Sequence, residues 1–114
     1  MKLHANTEEI NRGLIFKKKA YRTGFRIELS PEEQQVYEKH KEVRKMTLIS
    51  GKIDDIETSY RVESVISDKP CFVVYHSLAE QTEFESKLRE SCAKFKQHLG
   101  RLVEVASGPT TVEF

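Results

Sequence analysis

Three features of this chain predict an α+β fold: a mainly antiparallel sheet with one long C-terminal helix and one shorter helix packed on one face. First, Ser77 to Gly100 reads as one helix with both ends marked. Ser77 and Glu80 have capping-box spacing, and Gly100 supplies a left-handed stop. Between them Phe84, Leu88, Cys92, Phe95 and Leu99 recur every three or four residues and draw one apolar stripe. Second, Tyr21, Thr23, Phe25, Ile27 and Leu29 alternate with Arg22, Gly24, Arg26 and Glu28, the period of a half-buried strand. Third, Cys71-Phe72-Val73-Val74-Tyr75 is a short unbroken apolar run bounded by turn residues. Strands and helices are too mixed for an all-β fold and do not alternate as βαβ units.

The elements follow in order. Asn6 and Glu9 have capping spacing and Gly13 offers a stop, which predicts a short helix over Asn6–Arg12 inside a loosely packed segment 1–19. The apolar knot Leu14-Ile15-Phe16 and the run Lys17-Lys18-Lys19 lead into the strand Tyr21–Leu29. Ser30 caps the shorter helix, Pro31 fits its first turn and Glu33 completes the box; the helix runs to about Lys41, with Val36, Tyr37 and His40 on its apolar side. Val43–Ile49 reads as a second strand and Ser50-Gly51-Lys52 as a turn. From Ile53 to Ser67 helical and strand spacings compete; Tyr60, Val62 and neighbouring Thr favour a strand from about Thr58. Asp68-Lys69-Pro70 is a turn. The run Cys71–Tyr75 predicts a central strand buried on both faces. Past Gly100, Leu102–Val105 and Thr111–Phe114 read as a hairpin about Ser107-Gly108-Pro109, with Phe114 pinned in the sheet.

With 114 residues, the chain fits one domain, 1–114, able to bury about two-thirds of its unfolded surface without metal or disulfides. No secretory h-region opens it and no run is long enough to span a bilayer, so a cytoplasmic setting is expected. Net charge is +1, which excludes a global field toward nucleic acid or membrane. The charge is uneven, however. Residues 1–26 hold seven Lys or Arg against two Glu.

The passages "FRIELSPEEQQVYEKH", "FVVYHSLAE", "FESKLRESCAKFKQHL" and "VEVASGPTTVEF" cover about half the chain. In them it resembles a group of small uncharacterised bacterial single-domain proteins. The resemblance implies a compact cytoplasmic bacterial domain and carries no active-site residues.

Chemistry-bearing residues are sparse. His4, His40, His76 and His98 are scattered, with no pair at helical ligand spacing, so no metal and no cofactor is expected. Cys71 and Cys92 match no zinc or redox spacing and read as buried small hydrophobes. No nucleophile elbow, P-loop or dinucleotide fingerprint is present, and Asp54, Asp55 and Glu57 read as solvated turn residues. No catalytic residue is assigned, and an enzyme is not favoured. The leading expectation is therefore a non-enzymatic protein-interaction or regulatory domain. It would self-associate as a homodimer through an edge strand or a partly open sheet face. The alternative is an RNA- or DNA-binding module using Lys17, Lys18, Lys19, Arg22 and Arg26. Against it, Tyr21 and Phe25 lie on the strand face opposite Arg22 and Arg26, whereas a nucleic-acid sheet shows aromatic and basic residues together. A third reading is a small-ligand or enzymatic pocket between sheet and long helix, lined by Tyr75, His76 and Cys92. On the long helix Glu83, Glu85 and Glu90 each precede a Lys or Arg by four residues, a face suited to water.

Overall fold

A computed structural model of the chain describes residues 1–12, 18–53 and 56–107. Its elements are β1 (Lys2–Arg12), β2 (Lys18–Glu28), α1 (Pro31–Lys39), α2 (Lys41–Arg44), β3 (Thr47–Ile53), β4 (Ile56–Arg61), α3 (Val62–Val65), β5 (Cys71–Tyr75) and α4 (Leu78–Ser107). The fold is α+β: an antiparallel three-stranded sheet in the order β1-β2-β5, an antiparallel β3–β4 ribbon, a long C-terminal helix and shorter helices.

β2 is the central strand, and its alternation is the one the residues predict. Thr23, Phe25 and Ile27 are buried, while Arg22, Gly24 and Arg26 are half-buried on the other face. α4 lays its stripe over the inner face: Phe84, Leu88, Cys92, Phe95 and Leu99 are all buried. Phe84 is the hub, with ring centroids 5.7 Å from Phe25, 5.6 Å from Tyr75 and 6.4 Å from Tyr60. Offset and edge contacts of this kind add to the area they bury. Val36 and Tyr37 of α1, Val43 of α2, Leu48 and Ile49 of β3, and Val62 and Val65 of α3 complete one core. Thr23 is satisfied inside it, its hydroxyl 2.8 Å from that of Thr7, which also accepts from Gln81 Nε2 of α4 at 3.2 Å.

Both helix starts use the predicted devices. Glu33 N–H donates to Ser30 Oγ at 3.3 Å, and Glu33 Oε1 accepts from Ser30 N–H at 3.0 Å. At α4, Glu80 N–H donates to Ser77 Oγ at 3.3 Å, while the Glu80 carboxylate accepts from His76 N–H, one residue before the cap. The three outward pairs form as spaced: Glu83–Lys87 at 3.2 Å, Glu85–Arg89 at 3.0 Å and Glu90–Lys94 at 3.3 Å.

Five expectations are corrected. Asn6–Arg12 is not a helix in a loose segment: Lys2 to Arg12 pairs residue by residue with Glu28 to Lys18. A lone helix of seven residues is marginal, whereas pairing with β2 satisfies the backbone groups that face it along this whole stretch. Val43–Ile49 is not one strand. Val43 sits in the short helix α2, fully buried, and β3 begins at Thr47. Arg44 folds this segment back. Its guanidinium donates to the carbonyls of Tyr37 and Glu38 at the end of α1 and lies 5.6 Å from the Tyr37 ring centroid. Ser50-Gly51-Lys52 is not a turn but lies within β3, paired with Ser59, Thr58 and Glu57. β4 ends at Arg61, and Val62 to Val65 turns helical so that Val62 and Val65 both reach the core. Fourth, β5 is an edge strand among the described residues rather than a central one. Val73 and Tyr75 are buried, but Phe72 is 54% exposed, because the helices cover only one face of the sheet.

The last correction is at Gly100, where α4 does not stop; Leu102–Val105 is helical and the helix reaches Ser107. Leu102 and Val103 extend the apolar stripe onto the core, and burial of that surface outweighs glycine's preference for a stop. Gly108, Pro109 and the predicted strand Thr111–Phe114 lie outside the described residues, as do Asp54 and Asp55.

Candidate functional site

The candidate site is the outer face of the three-stranded sheet. Strand alternation and register set its composition. His4 lies opposite Arg26, Asn6 opposite Gly24 and Glu8 opposite Arg22 across β1–β2, and Gly24 lies opposite Phe72 across β2–β5. Side chains directly opposite share a face. Together with Pro70 they line a shallow depression of about 560 Å³.

Gly24 leaves room for the Phe72 ring where it lies. A Cβ at this position would sit 2.9 Å from the Phe72 ring. With hydrogen there instead, Phe72 lies over the β2 backbone and leaves much of its ring open to water. Glycine inside a strand often marks such a close approach. The Arg22 guanidinium carbon lies 4.9 Å from the Phe72 ring centroid, and its Nη2 donates to the Glu8 carboxylate. Arg22 Nε is buried without a hydrogen-bond partner among the described residues. At the other end of the depression His4 Nε2 lies 3.3 Å from Glu28 Oε2. That hydrogen bond, with the nearby charges of Lys2 and Arg26, holds the Glu28 carboxyl below the usual carboxylate range despite some desolvation. By register, Lys2 and Lys18 belong to this face as well. Among the described side chains it therefore carries Lys2, Lys18, Arg22 and Arg26 against Glu8 and Glu28, more basic than the chain as a whole.

The predicted basic residues divide. Arg22 and Arg26 come together on the open face. Lys18 is exposed at the start of β2, while Lys19 pairs with Glu9 at 3.6 Å on the opposite side. Lys17 lies outside the described residues.

The predicted pocket residues are placed differently from one another. Tyr75 and Cys92 are buried in the core and His76 is exposed; none of the three lines a described depression. Burial pushes the Cys92 thiol up to about 11 and raises the Tyr75 hydroxyl further above its ordinary value. A thiol held protonated in this way is a packing group rather than a nucleophile. Cys71 is half-buried and free, its Sγ 3.1 Å from the Ser64 carbonyl oxygen. Among the described residues no three His, Cys, Asp or Glu side chains converge as a metal site would require.

Phe72, Asn6 and Glu8 are the site residues that sequence reasoning missed. The run Cys71–Tyr75 hides Phe72, since periodicity cannot say which face of an apolar strand is left bare. The available signal was Gly24 itself, the one glycine in β2.

Comparisons of the chain with family models, with curated proteins and with solved structures returned no match. No helix among the described residues is long and apolar enough to cross a membrane.

Proposed function

We propose that this chain is a nucleic-acid-binding module whose contact surface is the outer face of β1, β2 and β5. One observation carries the reading: Phe72 lies exposed over Gly24 on the face that also holds Arg22 and Arg26. The face opposite Tyr21 and Phe25 thus has an aromatic ring of its own, supplied by β5. An aromatic platform flanked by guanidinium groups offers stacking to a base and charge to phosphates, the two interactions on which such surfaces rely.

Arg22 and Arg26 stand four residues apart on one strand, about 13 Å at 3.3–3.4 Å per residue. A groove of that length serves neighbouring phosphates rather than one. Titration of fluorescein-labelled nucleic acid at low salt, read by anisotropy, tests the reading. Binding should weaken as salt rises. Arg22→Gln with Arg26→Gln should weaken it by about tenfold or more and lower the salt slope by about two, one for each phosphate no longer neutralised. Absence of binding by the unaltered protein at low salt would refute it.

A second reading is favoured by a different observation. β1 pairs with β2 along eleven residues and has no strand partner on its other side among the described residues. Its edge suits pairing with a second copy of the chain, which would make the module a homodimer and extend the sheet.

A further inference from the structure

We infer that the ligand of this face is single-stranded, with one base stacked on Phe72 and Arg22 transferred from Glu8 to the adjoining phosphate. The inference rests on the nucleic-acid reading above and deepens it in two respects, the form of the strand and the residue that controls access.

The form follows from where the ring sits. Phe72 lies on a sheet face over the backbone of Gly24, with Asn6 on the far side of that glycine and Arg22 beside the ring. In a duplex the base faces are already stacked on each other, and such a ring meets only the sugar-phosphate exterior. A single strand can splay a base onto it. The Asn6 amide, exposed opposite Gly24, then lies at the edge of that base with both a donor and an acceptor to offer.

Control of access follows from the state of Arg22. Nη2 is occupied by Glu8, the guanidinium packs against Phe72, and Nε is buried with no acceptor among the described residues. An unsatisfied buried donor is costly, so this resting pose is a compromise. A phosphate accepting side-on from Nε and Nη2 would satisfy both donors. Glu8 therefore competes with the ligand for Arg22, and also repels phosphate from the face. It lowers affinity and screens out weak anionic ligands. The ring keeps its cation while empty, and binding exchanges one anion for another.

The test compares fluorescein-labelled eight-nucleotide RNA and DNA of mixed sequence, each as a single strand and as a duplex, by anisotropy at fixed low salt. Single strands should bind at least tenfold tighter than the matching duplexes. Phe72→Ala should weaken single-strand binding roughly 5- to 150-fold, the range expected when one base stack is removed, while Phe72→Tyr retains it. Phe72 is exposed, so these variants should fold, which circular dichroism checks. Glu8→Gln should tighten binding several-fold. Duplexes bound as tightly as single strands, unchanged binding in Phe72→Ala, or weaker binding in Glu8→Gln would each overturn this inference while leaving nucleic-acid binding intact. Absence of binding to every probe would overturn the broader reading with it. A preference between the RNA and DNA strands identifies which sugar the face accepts.

Discussion

Glu33 shows how opposing terms settle one residue's chemistry. Burial pushes its carboxyl up, but hydrogen bonds from the Met1 ammonium, at 2.7 Å, and from Ser30 leave it below the ordinary carboxylate value of 4.5. A group whose folded value is depressed stabilises the fold above its unfolded value, and that contribution is lost as pH falls through the folded one. Glu33→Gln should therefore destabilise the protein at neutral pH, and the gap should narrow below about pH 4.5. Urea midpoints of both proteins at pH 7 and at pH 3.5 check this; a gap that widens on acidification would contradict it. At this scale the helix cap was legible, since Ser30 and Glu33 need only their spacing. The contact between Gly24 and Phe72 was not, because the two residues meet only once β5 pairs with β2.

Among the elements, α4 is the clearest case of packing overriding a local signal. Gly100 has the position of a stop, yet the helix continues through it, and a Cβ built there would meet nothing within 4 Å. Glycine inside a helix costs about 0.5–1 kcal/mol relative to alanine. Gly100→Ala should therefore stabilise the protein by about that amount, measured as a higher urea midpoint with an unchanged slope. A destabilised variant would mean that the chain turns at Gly100 in solution. β1 is the counterpart. Its polar sequence carries no strong strand signal, and its register comes from β2. Alternation could reveal β2, because one of its faces is apolar. It could not reveal β1, whose side chains are mostly exposed.

For the whole molecule, charge and edges matter more than any single element. The net charge of +1 conceals an outer sheet face that holds, among the described side chains, four basic and two acidic ones. The same sheet ends in the edge of β1, which has no further strand beside it among the described residues. If two copies pair there, light scattering coupled to size-exclusion chromatography should show the mass of two chains as concentration rises. A constant mass of one chain at high concentration excludes that dimer. Such pairing would lengthen the basic face without covering Phe72, which stands on the opposite edge strand, so the two readings are compatible.

The amino-acid sequence alone determined the α+β class, the buried face of β2, the apolar stripe of α4 and both serine caps. Each depends on periodicity or on neighbours a few residues apart. Tertiary structure alone decided that β5 is an edge among the described strands, that β1 is a strand, that α4 passes Gly100 and that Phe72 joins Arg22 and Arg26. Those outcomes depend on which distant surfaces meet, and on the helices covering one side of the sheet while water keeps the other.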